Sequence, residues 1–273
     1  MSNVIRMELH RMFRTRSFYV TIALCAVSVI LMTAMIAPMI NGSRQTSEVG
    51  DVTVYTTVDF SDFLVCPVSF CGELIRSLCG TFLVIFAGCF TGVFYTNGFC
   101  KNVINQVKHR GYFQVSKAVC ILIYTTVLLA VSAGSAIIFG RLLIKSFTFS
   151  YIGEFAKFLL GQWCLLTVVG LFTAFVTELF GSKIPAIVYI LLVSSNLIQG
   201  ILSVADGKLS KWLSMEIMLE KWFPSLYQPI FSLDAPDVSG NNRTLFYAVV
   251  LSLIFFVIYN IAGSALITKR DVK

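Results

Sequence analysis

The chain has 273 residues, of which 57% are hydrophobic and 13% charged, with a formal net charge of +7 and a mean hydropathy of +0.82. A soluble domain carries roughly twice that share of charge. Too little polar surface exists here for a water-facing fold, which excludes a soluble enzyme, a disordered tail and a nucleic-acid-binding domain; the expectation is an all-α integral membrane protein.

Residues 4–16, VIRMELHRMFRTR, read as an amphipathic helix within an N-terminal elbow spanning 3–16. Ile5, Leu9, Met12 and Phe13 fall on one face at helical spacing, and Arg6, His10, Arg11 and Arg14 on the other. Such a helix lies in the headgroup layer with its arginines in water. It is either a basic anchor or an elbow that also touches a cytoplasmic partner.

Six charge-free runs follow, at 17–43, 77–100, 118–140, 158–177, 184–205 and 244–268. A spanning helix needs about 20 largely apolar residues to cross roughly 30 Å of hydrocarbon. Every backbone polar group in lipid must be satisfied within its own segment, so these runs are expected as helices. They give spans of about 17–40, 75–97, 118–140, 158–178, 184–205 and 244–268, all in one membrane domain over 1–273.

The connecting segments differ. Residues 97–117, NGFCKNVINQVKHRGYFQVSK, form the one sizeable loop on the side of the termini. Phe99, Val103 and Val107 recur there at four-residue spacing between Gly98 and Gly111. This is a solvated turn or a short helix suited to docking on a soluble partner. The segment 208–233 on the other side is amphipathic as well, with Trp212, Met215, Leu219, Trp222 and Phe223 along one face before Pro224, Tyr227 and Pro229. It reads as a lipid-facing lid or an outer gate. Cys66 and Cys71 flank that same side and are two free thiols or a disulfide.

An even number of spans leaves both termini on one side. The pieces on that side hold 12 Lys and Arg against 3 Asp and Glu in 44 residues. The opposite pieces hold 9 against 11 in 88 residues. The positive-inside rule therefore expects both ends in the cytoplasm, with membrane lipid as the partner of the basic residues and no nucleic acid.

Chemistry-bearing patterns are few. His10 and His109 are the only histidines and both fall outside the runs, no HExxH motif is present, and no GK[ST] phosphate loop occurs. The expectation is a chain that is not an enzyme, with no catalytic residue, cofactor or metal of its own. Carriers and pumps place ionisable groups at mid-depth, and the six runs contain none. Energy for uphill movement would then come from another subunit.

Three stretches carry a resemblance: MELHRMFRTRSFYV at 7–20, FYTNGFCKNVINQVKHRGYFQVSK at 94–117 and TKRDVK at 268–273. Together with the six runs they resemble the permease subunit of a bacterial type-2 ATP-binding-cassette (ABC) exporter. The chain departs from that pattern in having Tyr95 and Thr96 where an acidic residue often precedes the Asn-Gly turn. The resemblance implies a coupling loop in which Gly98, Lys101, Asn102, Asn105, Lys108 and Arg110 meet a separate ABC ATPase, with Arg6, His10 and Arg14 of the elbow beside it. It implies ATP and Mg on that ATPase, a second permease subunit in a homo- or heterodimer, and an outer gate including Trp212, Trp222, Pro224 and Tyr227. Asn196, Gln199 and Asn260 would be polar contacts of the path or bonds between helices. The implied function is export of a hydrophobic or amphipathic cargo (a peptide or bacteriocin, a lipid or a drug) across the bacterial plasma membrane. The alternatives are a ligand-capturing membrane subunit of a vitamin importer and a non-transporting bacteriocin immunity protein.

Overall fold

The computed structural model describes residues 2–42, 67–96, 111–144, 147, 152–182, 184, 187–188, 204–205, 208 and 242–269. Among these the architecture is helical, with no strand. The main elements are α1 (Ser2–Arg14), α2 (Arg16–Gly42), α3 (Pro67–Thr96), α4 (Tyr112–Leu143), α5 (Ile152–Phe180) and α6 (Asn242–Lys269). Five of them, α2 to α6, are long and apolar enough to cross a membrane. The chain is therefore a multi-pass membrane protein by the length and composition of its helices. The expected span at 184–205 lies almost wholly outside the described residues.

The helices overrun the charge-free runs that announce them. α3 begins at Pro67 and carries Glu73 and Arg76 within it, α4 begins at Tyr112 rather than near 118, and α5 at Ile152 rather than near 158. A charged residue ends an apolar run, but it does not end a helix. Lys, Arg and Glu are good helix formers, and backbone bonding continues past the hydrocarbon edge.

Thr15 separates α1 from α2. Its hydroxyl donates to the Arg11 carbonyl at 2.7 Å and its N–H to the Met12 carbonyl at 3.2 Å, drawing the chain out of regular helix. α5 ends at Gly181, whose φ of 64° is the left-handed conformation that suits glycine, with its N–H donating to Thr177 O at 2.9 Å.

α3 packs on α5, α5 on α6, and α2 on α4 and α3, while α1 lies along α4. The centre of the bundle is aromatic. Phe86 of α3 stacks on Tyr124 of α4 with centroids 3.7 Å apart, and Phe18 of α2 meets Tyr124 edge-on at 5.7 Å. The Tyr124 hydroxyl donates to Thr21 Oγ1 at 2.8 Å, and Trp163 Nε1 to Thr126 Oγ1 at 2.9 Å. Hydroxyls elsewhere bond back to the preceding turn, as in Thr33 to Val29 O and Thr173 to Val169 O, both at 2.8 Å. These side chains satisfy one another or their own backbone, as a segment without water favours. Close approach of helices uses missing side chains: a Cβ on Gly170 of α5 would lie 2.7 Å from Ile121 Cγ2 of α4. The outward faces of α2 (Tyr19, Leu24, Leu31, Met35) and α6 (Leu253, Val257, Ile261) are exposed and apolar, matching contact with lipid tails.

Candidate functional site

One end of the bundle gathers α1, the last turns of α3, the first turns of α4 and the last turns of α5 and α6. Val4, Phe94, Phe113 and Ile267 form a small apolar cluster there, one residue from each of α1, α3, α4 and α6. Four charged side chains are folded into the same end: Glu8 and Arg11 of α1, Lys117 of α4 and Glu178 of α5. Glu8 and Glu178 have no exposed surface and Lys117 is 1% exposed.

The four charges form two ion pairs joined by aromatic rings. Lys117 Nζ is paired with Glu178 Oε1. Gln114, one turn earlier on α4, donates its amide to Glu178 Oε2 at 3.0 Å and Oε1 at 3.1 Å in the orientation that satisfies both groups. Arg11 Nη2 lies 2.6 Å from Glu8 Oε2, three residues back on α1. The Arg11 guanidinium stands 4.3 Å from the centroid of Phe90 and 5.3 Å from that of Phe94. Lys117 Nζ stands 4.5 Å from Phe94 and 5.3 Å from Tyr95. Phe94 is therefore shared by both cations, and desolvated contacts of this kind reach about 2 kcal/mol each. Burial pushes the Glu8 carboxyl above the ordinary carboxylate range, against the opposing pull of Arg11 and Lys117. Burial lowers Arg11 likewise, against Glu8.

Helix geometry explains why Lys117 meets Glu178. Lys117 lies 26 residues before Leu143, the end of α4, and Glu178 lies 26 residues after Ile152, the start of α5. In an antiparallel pair joined by a short connection, equal distances from the joined ends mean equal height, here about 39 Å along each axis. That exceeds the roughly 30 Å of a hydrocarbon core. The pair therefore belongs to the edge of the membrane and not to its mid-plane. Gly263 admits α6 to the same spot: a Cβ there would lie 2.5 Å from the Gln114 amide carbon.

The residues singled out in the sequence distribute as follows. Arg6, His10 and Arg14 are exposed on α1. Arg11, expected with them in water, instead turns inward beside Glu8, and the buried face of α1 is Val4, Glu8 and Met12. Phe13, expected on the apolar face that meets the headgroup layer, is 45% exposed. Asn260 of α6 is half-buried and donates to the Phe256 carbonyl of its own helix at 2.8 Å. Gly98, Lys101, Asn102, Asn105, Lys108 and Arg110 lie outside the described residues, as do Asn196, Gln199, Trp212, Trp222, Pro224, Tyr227 and Cys66. Cys71 is buried near the start of α3.

Glu8, Lys117 and Glu178 escaped the sequence reading. Lys117 falls in the expected loop 97–117 and Glu178 at the last position of the expected span 158–178. Their equal distance from the α4–α5 connection is the signal that pairs them.

The sequence matches no protein-family model and no curated protein.

Proposed function

We propose that the chain is the transmembrane subunit of an ABC-type exporter in the bacterial plasma membrane. It has six spans and cytoplasmic termini, and it pairs with a second permease subunit and with a separate ATPase that holds ATP and Mg. The cargo is hydrophobic or amphipathic: a peptide or bacteriocin, a lipid or a drug. The observation that carries this reading is the position of the charged cluster. It joins four helices at the end of the bundle from which residues 97–110 run between α3 and α4. Force applied there by a soluble partner has a rigid set of helix ends to act on. The charge-free runs leave the interior of each span without an Asp, Glu, Lys, Arg or His for the chain's own energy coupling. Lys101, Asn102, Asn105, Lys108 and Arg110 would meet the ATPase, with the exposed Arg6, His10 and Arg14 beside them.

The test is co-purification with an ABC ATPase encoded beside the chain. The complex should hydrolyse ATP, and charge reversal at Lys101 and Lys108 should dissociate or uncouple it. Unchanged assembly, hydrolysis and export in that variant would refute the docking. For orientation, a membrane-impermeant thiol reagent added to intact cells should label Ser239→Cys and not Gln106→Cys. Uphill transport by the chain reconstituted alone would overturn the reading. Tight capture of a small ligand by the isolated chain would mark it as an importer subunit, and protection of cells with no ATPase present would mark an immunity protein.

A further inference from the structure

We propose that Lys117 and Glu178 are positioning residues for helix α1: through the shared Phe94 ring they hold α1 against α3 and α4, so that it moves with the bundle as one piece. This rests on the exporter reading for its purpose, since it makes α1 a second lever at the partner-facing end.

The physical case begins with the inner face of α1. An amphipathic helix resting on a membrane turns its charges to water. Here Glu8 and Arg11 face inward instead, and Glu8 has no exposed surface. Two buried charges are tolerated only where partners surround them. Arg11 has Glu8 at 2.6 Å and the Phe90 and Phe94 rings beneath it. Lys117 of the neighbouring helix, like Arg11, pulls the Glu8 carboxyl down against the larger effect of burial. Lys117 in turn is held by Glu178, and its ammonium faces the ring on which Arg11 sits. The sign of each charge matters in this chain of contacts. A cation at 117 is drawn to the π-face of Phe94 and holds the ring against which Arg11 rests, whereas an uncharged side chain there gives that ring no such hold. The docking of α1 thus depends on a carboxylate that sits on α5. The opposite face of α1, with Arg6, His10 and Arg14 exposed, remains available to a partner.

The experiment is hydrogen–deuterium exchange of the full-length chain in lipid nanodiscs, read by mass spectrometry on peptides from Ser2–Arg14 and from the middle of α4. Glu178→Gln should speed exchange in α1 about tenfold or more with the middle of α4 unchanged. Lys117→Met/Glu178→Met leaves no uncompensated charge at the pair, remains foldable where the single variant is not, and should speed α1 to the same degree. Lys117→Arg should keep α1 protected. Exchange in α1 within about twofold of wild type in the Met/Met variant would overturn the proposal. No ATPase enters this assay. Failure to recover an ATPase partner would sink the exporter reading and leave the exchange result standing, and an unperturbed α1 would sink this proposal alone.

Discussion

Replacing Gly263 by alanine tests the polar cluster through the helix that closes over it. Gly→Ala inside an exposed helix stabilises by roughly 0.5–1 kcal/mol, because glycine loses more backbone freedom on folding. Here the new Cβ would lie 2.5 Å from the Gln114 amide carbon and from one of its terminal atoms, and 3.0 Å from the other. Comfortable carbon contacts begin at about 3.5 Å, so the amide must retreat by about an ångström. Gln114 is fully buried and its amide is bonded to Glu178 at 3.0 and 3.1 Å. The side chain is flexible enough to swing aside, so the cost is not steric overlap but loss of its donation to a carboxylate. Hydrogen bonds to charged groups are each worth about 1.5–3 kcal/mol. Losing one outweighs the backbone gain and leaves a net destabilisation of about 1–2 kcal/mol. Thermal unfolding of the detergent-purified chain measures it, and a double-mutant cycle with Gln114→Ala isolates the cause. In the Gln114→Ala background the space is open, so Gly263→Ala should be neutral or stabilising, with a coupling of about 2 kcal/mol. Stabilisation by Gly263→Ala in the wild-type background, or additivity within about 0.5 kcal/mol, would refute the contact.

Further outcomes follow from the same geometry. Glu178→Ala leaves Lys117 as an uncompensated buried cation and should cost about 3–5 kcal/mol, whereas Lys117→Met/Glu178→Met should fall within about 1 kcal/mol of wild type; equal losses in the two, by unfolding midpoint, would contradict burial of the pair. Gly170→Ala drives a Cβ to 2.7 Å from Ile121 Cγ2, a stiff β-branched side chain with no free surface, and should cost about 1–3 kcal/mol by the same assay, relieved in an Ile121→Ala background. The Glu8 carboxyl is held above its unfolded value by burial, so its contribution to docking of α1 is fully present below the ordinary carboxylate range and is lost as pH rises through the elevated value. Protection factors of Ser2–Arg14 should therefore fall with rising pH over that interval in wild type and stay level in Glu8→Gln. Tyr124→Phe removes the hydroxyl that donates to Thr21 Oγ1 at 2.8 Å and should cost about 1 kcal/mol, read as a lowered unfolding midpoint.

Membrane residence and helicity were determined by sequence alone. Runs of 20 or more uncharged residues can be solvated only by lipid, and lipid leaves the backbone no partner but itself. The pairing of Lys117 with Glu178 is within reach too, through their equal distance from the α4–α5 connection, but ending each apolar run at its first charge leaves Lys117 in a loop and Glu178 at the edge of a span, with nothing to join them.

The face of α1 could be decided only by tertiary structure. Helical periodicity selects Ile5, Leu9, Met12 and Phe13 as one stripe, yet the fold buries Val4, Glu8 and Met12 and leaves Phe13 exposed. In water an apolar residue faces inward because the alternative is costly. Beside a membrane, lipid accepts Phe13 as readily as a core does, so hydrophobicity no longer states which way a side chain points. Glu8 and Arg11 carry each other as counter-charges whichever way α1 turns; what draws them inward is the pair of rings, Phe90 and Phe94 of α3, brought to α1 only by folding.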